Sequence, residues 1–283
     1  MWCSGNPAST FFPTRGPPTQ RVLSMTATDF VSVTEIAGDD VTVEQVQRLA
    51  RRYHWAADYC VDKDVLEVAC GSAPGVGYLG TVARSVTAGD VSDTLLELAR
   101  GHYGRRFEFC RFDAQQMPFP ARSFDIVILF EALYYIPDAV RFFNECRRVL
   151  RIGGTLLLST ANKDMSDFNA SPYSHRYLGV VELASELSSL GFAVTCFGDT
   201  PVTTVAVRQR LLRPIKAVGA HLGLIPKSMR GKKLLKRLVF GRLVPMPAEI
   251  ATATAPRVSA TRLEAGVPDR KHKVIFCAAV LTT

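Results

Sequence analysis

Short apolar runs alternate with amphipathic segments through most of the chain. The apolar runs predict strands, and segments with apolar residues every three or four positions predict helices. Strands are predicted at 64–69, 85–90, 107–112, 124–130, 155–160, 192–197 and 273–281. Helices are predicted at 76–84, 92–102, 138–150 and 180–190, and from Thr42 to Cys60. This alternation is typical of βαβ units, which form a parallel sheet covered by helices on both faces.

The strand pattern divides the chain into a core and two additions. The core is predicted at 29–200, and its sheet is completed by a final strand at 273–283. Residues 1–28 contain four prolines and no carboxylate, which predicts a disordered tail with Met25 as an alternative start. Residues 201–272 separate the last two strands and are predicted to form a basic, amphipathic helical insertion.

The positive charge is concentrated in that insertion. The chain carries a formal net charge of +8, and eleven of its Lys and Arg residues lie within 201–248, where there is no Asp or Glu. On a helical wheel the segment MRGKKLLKRLVFGR separates its charges from its leucines completely. This pattern favours packing of the apolar stripe on the core, with peripheral contact between 208–242 and an anionic membrane as an alternative. Nucleic acid is disfavoured, because the segment has almost no aromatic residues for stacking on bases.

Other sequence features bear on location and metal binding. No uninterrupted apolar run reaches about 18 residues, so we expect a cytoplasmic protein, with the inner face of the membrane as its alternative place. The seven cysteines are scattered without a CxxC pair. This spacing favours reduced, buried thiols over disulfides or zinc, and no metal site is predicted.

Candidate chemistry begins at the end of the first core strand. In VLEVACGSAPGVG, three glycines, Gly71, Gly75 and Gly77, allow a tight turn into a helix whose N-terminal amides can bind a ligand. Acidic residues lie at the ends of three successive strands at equal spacing. Asp90 follows Glu67 by 23 residues, and Asp113 follows Asp90 by another 23. Because parallel strands end at one edge of a sheet, these acids predict a nucleoside pocket. A dinucleotide would also suit the glycine turn and Asp90.

The series VLEVACG, VTAGDVS, RFDAQQMPFPARSFDIVILFEALYYIPD and NECRRVLRIGGTLLLST resembles the successive motifs of class I S-adenosylmethionine-dependent methyltransferases. The resemblance runs from Tyr53 to Gly198 and is of the methyltransferase domain 11-like, small-molecule or glycan type. A weaker resemblance links the chain to bacterial polysaccharide-associated methyltransferases. The family implies an α/β, Rossmann-like, doubly wound sheet of seven strands, mostly parallel with an antiparallel last strand. A nicotinamide-dependent dehydrogenase matches the later motifs poorly.

The resemblance also implies a cofactor, S-adenosyl-L-methionine, and the residues that bind it. Glu67 and the Gly71 turn would hold its methionine part, Asp90 its ribose hydroxyls, and Asp113 with Ala114 its adenine. The full predicted set is Tyr53, Glu67, Ala69, Gly71, Asp90, Val91, Asp113, Ala114 and Phe130. The family's turn usually has glycine where this chain has Ala69 and Ala73. We expect Ala69 to be a mild change if its φ is negative, and Ala73→Gly to tighten binding.

Three further residues are predicted to be catalytic. Glu131 and Tyr134 follow the fourth core strand, and His175 lies in the long polar loop 161–179, which we expect to cover the substrate. His175 is the predicted general base for a hydroxyl on a small-molecule or glycan acceptor. Predicted substrate contacts in the same loop are Asp167, Asn169, Tyr173 and Arg176. Alternatives are a non-catalytic protein that binds the cofactor or its product, and a methyltransferase acting on a lipid-linked acceptor at a membrane. The sequence predicts no oligomeric state.

Overall fold

The computed structural model describes residues 30–171, 173–202 and 243–283. Helices in these ranges are α1 (Val43–Cys60), α2 (Val76–Leu79), α3 (Asp93–Tyr103), α4 (Ala139–Val149) and α5 (Val180–Ser189). Strands are β1 (Asp40–Thr42), β2 (Asp64–Val68), β3 (Ser85–Asp90), β4 (Glu108–Arg111), β5 (Phe124–Phe130), β6 (Leu150–Ala161), β7 (Phe192–Pro201), β8 (Leu243–Pro245), β9 (Thr261–Arg262) and β10 (His272–Leu281). The predicted tail 1–28 and the whole of the predicted basic segment 208–242 lie outside the described residues.

One mixed sheet organises the described part of the chain. Its strand order is β4-β3-β2-β5-β6-β10-β7-β9, with β2 to β6 parallel to one another. Strand β10 lies between β6 and β7 and is antiparallel to both. The predicted Rossmann-like α/β sheet with an antiparallel last strand is therefore confirmed. The sheet has eight strands rather than seven, because the short strand β9 pairs with the edge of β7.

Each face of the sheet has its own apolar core. One core joins the sheet to α4 and α5, and the other joins it to α1, α2 and α3. Because side chains alternate along a strand, Leu66 and Val68 of β2 enter the first core, while Val65 enters the second. Glu67 shares the face of Val65 and therefore lies beneath α1.

Helix α1 is fixed firmly at its start. Thr42 and Gln45 form a reciprocal capping box, in which the Gln45 amide donates to Thr42 Oγ1 at 3.2 Å and the Thr42 amide donates to Gln45 Oε1 at 3.0 Å. The preceding strand β1 pairs with β8. Residues assigned to the insertion therefore contact the start of α1, which sets the position of the helix over the sheet.

The largest differences from the predicted boundaries are at α2 and β6, and β7 also ends at Pro201 instead of at 197. Helix α2 is a single turn rather than 76–84, because the chain leaves the helix at Gly80 and Thr81 Oγ1 donates to the Tyr78 carbonyl at 2.7 Å. Strand β6 starts directly after α4 instead of at 155. The predicted turn at Gly153 is a bulge inside this strand, with a φ of 79° and a register shift opposite.

The cysteines follow the prediction at five positions. Cys60, Cys70, Cys146, Cys196 and Cys277 are free and buried. Cys110 is buried as well.

Candidate active site

A cavity of about 670 Å³ opens at the carboxyl ends of β2, β3 and β5, beneath the polar face of α1. This edge is where ligands bind in open α/β sheets. Every residue of the predicted cofactor and catalytic sets lines the cavity. These residues are Tyr53, Glu67, Ala69, Gly71, Asp90, Val91, Asp113, Ala114, Phe130, Glu131, Tyr134 and His175.

The glycine turn has an unusual backbone. Ala69, Gly71 and Ala73 have φ values of 54°, 58° and 59°, which lie in the left-handed region that favours glycine. The expectation that Ala69 is a mild change required a negative φ and is therefore wrong, since each alanine there costs about 1–2 kcal/mol. Both alanines have this conformation in the folded chain, so the cost falls on folding. Ala69 lines the cavity, whereas Ala73 is buried behind it.

Asp90 connects the glycine turn to the next helix. Its Oδ2 accepts a hydrogen bond from the Gly71 amide and its Oδ1 accepts one from the Ser92 amide, both at 2.9 Å. The side chain is buried, and this burial raises its pKa. Each oxygen retains a lone pair for a second donor. Asp90 can therefore accept hydrogen bonds from a ligand diol while it holds the turn in place.

Glu67 has one bonded oxygen and one free oxygen. Tyr53 Oη donates to Glu67 Oε1 at 2.5 Å, while Oε2 is buried and has no partner in the part of the chain that the structure describes. Burial raises the pKa of Glu67 to about 7. The Tyr53 ring packs edge-on against Phe130, with ring centroids 5.2 Å apart. An orphaned carboxylate oxygen in a cavity is matched by a ligand that donates to it, such as an ammonium group.

Asp113 lies at the open side of the same edge. Its Oδ1 accepts from the Gln115 amide at 2.8 Å, and the side chain is exposed. The preceding residue, Phe112, donates its amide to the Asp90 carbonyl at 3.1 Å. This link holds the Asp113–Ala114 turn beside Asp90, where one extended ligand can reach both acids.

Glu131 and Tyr134 form a hydrogen-bonded pair at the end of β5. Tyr134 Oη donates to Glu131 Oε2 at 3.3 Å, and Ser159 Oγ donates to Glu131 Oε1 at 2.7 Å. Glu131 has a φ of 52°, a strained conformation for a residue with a side chain. Burial and the nearby Glu131 carboxylate raise the pKa of Tyr134. Tyr134 therefore keeps its proton and acts as a donor.

His175 is joined to this pair through the backbone, since its amide donates to the Tyr134 carbonyl at 2.7 Å. Its exposed side chain lines the cavity. The predicted substrate contacts Asp167, Asn169, Tyr173 and Arg176 do not line it. Arg176 instead forms an ion pair with Glu186 of α5 at 2.8 Å. The loop therefore brings one of its predicted residues to the site.

The sequence interpretation missed the basic residues of the cavity. Arg48 and Arg52 of α1 and Lys273 of β10 all line it. The two arginines lie four residues apart, so they share one face of the helix. This spacing was present in the sequence, but a charged helix face is most often in contact with solvent. Among the described residues, no group of three His, Cys, Asp or Glu side chains could hold a metal ion.

The site is suited to S-adenosylmethionine. Glu67 Oε2 offers a buried acceptor without a partner to an ammonium group. A Cβ on Gly71 would lie 3.1 Å from Thr34 Cγ2, so this turn leaves little space beyond its own backbone. Asp90 and Asp113 follow on the two adjacent strands. The residues that would hold the methionine, ribose and adenine parts therefore lie in that order along one edge.

Comparison with known proteins agrees with this geometry. Residues 66–158 match the model of the methyltransferase domain family. A Mycobacterium tuberculosis protein named "probable S-adenosylmethionine-dependent methyltransferase" is 35% identical over 144 residues, which cover 50% of this chain and 52% of that protein. A fatty-acid O-methyltransferase of Mycolicibacterium smegmatis is 38% identical over 102 residues, 35% of this chain and 37% of its own length.

A third relative is the phthiotriol/phenolphthiotriol dimycocerosates methyltransferase 1 of Mycobacterium ulcerans. It is 41% identical over 98 residues, 34% of this chain and 36% of its own length. The chain thus spans about half, or less, of the length of these curated relatives.

The fold is also that of a solved structure. The crystal structure of an S-adenosylmethionine-dependent methyltransferase from Thermotoga maritima superposes with a TM-score of 0.53 at 12% identity, over 84% of this chain and 92% of that one. None of the helices within the described ranges is long and apolar enough to cross a membrane. The sheet order, the glycine turn, the strand-end acids and the family match all indicate a binding site for S-adenosylmethionine. Residues 66–158 therefore match the methyltransferase domain family, and this part of the chain is similar to class I S-adenosylmethionine-dependent methyltransferases.

Proposed function

We propose that this protein transfers a methyl group from S-adenosylmethionine to an oxygen of a small-molecule acceptor with lipid character. The observation that carries the proposal is the set of Glu67, Gly71, Asp90 and Asp113 along one cavity edge, inside the segment that matches the family. When bound, the cofactor would supply a methyl group on a sulfonium sulfur: the acceptor oxygen would bond to the methyl carbon as the carbon–sulfur bond breaks, S-adenosylhomocysteine would leave, and the hydroxyl proton would pass to a base. The chain's contribution is to bind and orient both partners, and orientation can supply up to about 7–11 kcal/mol of the barrier.

The acceptor class is supported by the relatives and by the lining of the cavity. Two relatives are named for fatty-acid and phthiotriol substrates, which are lipids. The cavity of this chain includes apolar residues such as Val33, Leu49 and Val274 beside its polar edge, and these suit a hydrocarbon chain. A glycan acceptor and membrane contact through 208–242 stay predictions from the sequence.

Methyl transfer to lipids is a direct test. The protein would be incubated with S-adenosylmethionine labelled in its methyl group and with a panel of fatty acids, hydroxy fatty acids and sugars. We expect label in the hydroxy-lipid products. If S-adenosylhomocysteine binds but no acceptor in the panel is labelled, the protein is better described as a non-catalytic binder, and the proposal is wrong.

Cofactor affinity is expected to fall at acid pH. Because burial raises the pKa of Glu67 to about 7, the free protein holds this carboxyl protonated below that pH. Binding to an ammonium group needs the ionised form, so affinity should fall about tenfold per pH unit below 7. Calorimetric titration with S-adenosylhomocysteine across this range measures the slope. The Glu67→Gln variant retains the hydrogen bond with Tyr53 but should bind weakly with no slope; an unchanged slope would assign the titration to another group.

Replacement of His175 tests the predicted general base. A hydroxyl must lose its proton as it is methylated, and a positioned base contributes about 10²- to 10⁴-fold. We expect His175→Ala to lower kcat on a hydroxyl acceptor about a hundredfold, with the affinity for S-adenosylhomocysteine unchanged. His102, which pairs with Glu249 outside the cavity, offers a matched control as His102→Ala. Equal kcat values for wild type and His175→Ala would remove His175 from the reaction.

A further inference from the structure

Two charged side chains in the cavity form no ion pair with any residue that the structure describes. Arg48 and Arg52 line the cavity, and the Nε atom of each is buried without a hydrogen-bond partner. Arg52 lies 5.9 Å from the Tyr53 ring centroid, but within the described ranges neither guanidinium forms an ion pair. A partly buried guanidinium is costly unless an anion pairs with it. A ligand is the natural source of that anion.

Apart from Glu67 Oε2, the carboxylates that line the cavity already have hydrogen-bond or ion-pair partners. Glu131 accepts from Ser159 and Tyr134. Asp199 forms an ion pair with Arg51 at 3.2 Å, and Glu35 accepts from Gln45 at 2.5 Å. None of these acids forms an ion pair with Arg48 or Arg52 within the described ranges.

The two arginines differ in their relation to Glu67. Arg52 precedes Tyr53, the residue that donates to Glu67, and lines the same cavity. Burial raises the pKa of Glu67 and of Tyr134, and the positive charge of Arg52 opposes that rise for both groups. A guanidinium next to an orphaned carboxylate oxygen matches the carboxylate and ammonium of an amino acid. The methionine part of S-adenosylmethionine ends in one amino-acid group. Its single carboxylate can pair with Arg52.

Arg48 then lies one helical turn closer to the N-terminus of α1, where no cofactor carboxylate is left for it. The same end of the helix is tied to β10, because Glu44 pairs with Lys273 at 3.4 Å. Arg48 therefore shares the cavity with Lys273 and with the apolar residues Leu49 and Val274. A positive group beside an apolar wall suits a molecule with an acid group and a hydrocarbon chain.

We propose that Arg48 binds a carboxylate on the methyl acceptor, so that the acceptor is a hydroxy acid with an apolar chain. The inference rests on the proposed function and narrows its substrate class. Guanidinium groups bind carboxylates through two parallel hydrogen bonds, which fix the orientation of the ligand as well as its affinity. Such an anchor would hold the acceptor in place while its hydroxyl reaches the transferred methyl group.

The test compares two ligands that differ in one charge, 3-hydroxydecanoate and its methyl ester. Each is titrated calorimetrically into protein saturated with S-adenosylhomocysteine, using wild type, Arg48→Gln and the control Arg105→Gln, whose arginine is exposed and outside the cavity. We expect the acid to bind about tenfold or more tightly than the ester in wild type and control. In Arg48→Gln this preference should vanish while S-adenosylhomocysteine binds as before.

Three results would overturn the inference. The first is that the ester binds as tightly as the acid, and the second is that neither compound binds. The third is that Arg48→Gln weakens the binding of S-adenosylhomocysteine as much as the binding of the acid, which would assign Arg48 to the cofactor. Arg52→Gln is the comparison variant for this third result, because it should directly weaken the binding of S-adenosylhomocysteine. Failure of wild type to bind S-adenosylhomocysteine is a separate result, which would contradict the proposed function itself.

Discussion

Asp90→Asn is expected to weaken S-adenosylmethionine binding about a hundredfold. The carboxylate accepts from the Gly71 and Ser92 amides, and in the proposed complex it also accepts from the ribose hydroxyls. Asparagine removes the charge and turns one acceptor into a donor that faces backbone N–H groups. Each hydrogen bond to a charged group contributes about 1.5–3 kcal/mol, so the loss of one or two accounts for the expected change. Calorimetric titration gives the two dissociation constants.

Asp93→Asn is the matched control for this experiment. Asp93 begins α3 three residues later, is exposed, and pairs with Arg111 at 3.3 Å. Its replacement should change the affinity less than about twofold, as is usual for an exposed ion pair. If the two variants bind equally well, Asp90 does not hold the ribose.

Gly75→Ala is expected to destabilise the fold and to weaken cofactor binding together. A Cβ at this position would overlap the ring of Tyr53. The ring cannot move freely, because it packs against Phe130 and donates to Glu67 inside a buried core. Overpacking of this kind costs about 1–3 kcal/mol. Denaturant unfolding should show the loss, and titration should show weaker binding because Glu67 loses its partner.

Gly101→Ala is the matched control, for which we expect the free energy of unfolding to change in the opposite direction. Gly101 lies within α3, and a Cβ there would have no atom within 4 Å. Alanine should therefore raise the free energy of unfolding by about 0.5–1 kcal/mol. Equal stabilities for Gly75→Ala and Gly101→Ala would show that Tyr53 is not held where the structure places it.

The ligand-binding edge of the sheet could be predicted from the sequence, because each feature that forms it is determined by residues close together in the chain. An apolar strand, a glycine turn and an acid at the next strand end each leave a signature within a few residues. Parallel pairing then brings Glu67, Asp90 and Asp113 to one edge. For this reason the lining of the cavity contains the complete predicted set of cofactor residues.

Other features depend on contacts that no periodicity encodes. Arg48 and Arg52 resemble any solvated helix face until α1 lies over the sheet edge, and its place there depends on the pairing of β1 with the distant strand β8. Within the loop 161–179, side-chain direction is set by tertiary partners, and Arg176 pairs with Glu186 instead of facing the cavity. The left-handed backbone at Ala69 also runs against the preference of alanine.

The most direct test of the account is calorimetric titration of the wild-type protein with S-adenosylhomocysteine and, separately, with NAD⁺. The account predicts saturable binding of S-adenosylhomocysteine at one site per chain, with affinity that falls below pH 7 as Glu67 takes up its proton. It predicts no binding of NAD⁺. Binding of NAD⁺ in place of S-adenosylhomocysteine, or of neither compound, would contradict the assignment of this cavity to a methyl donor.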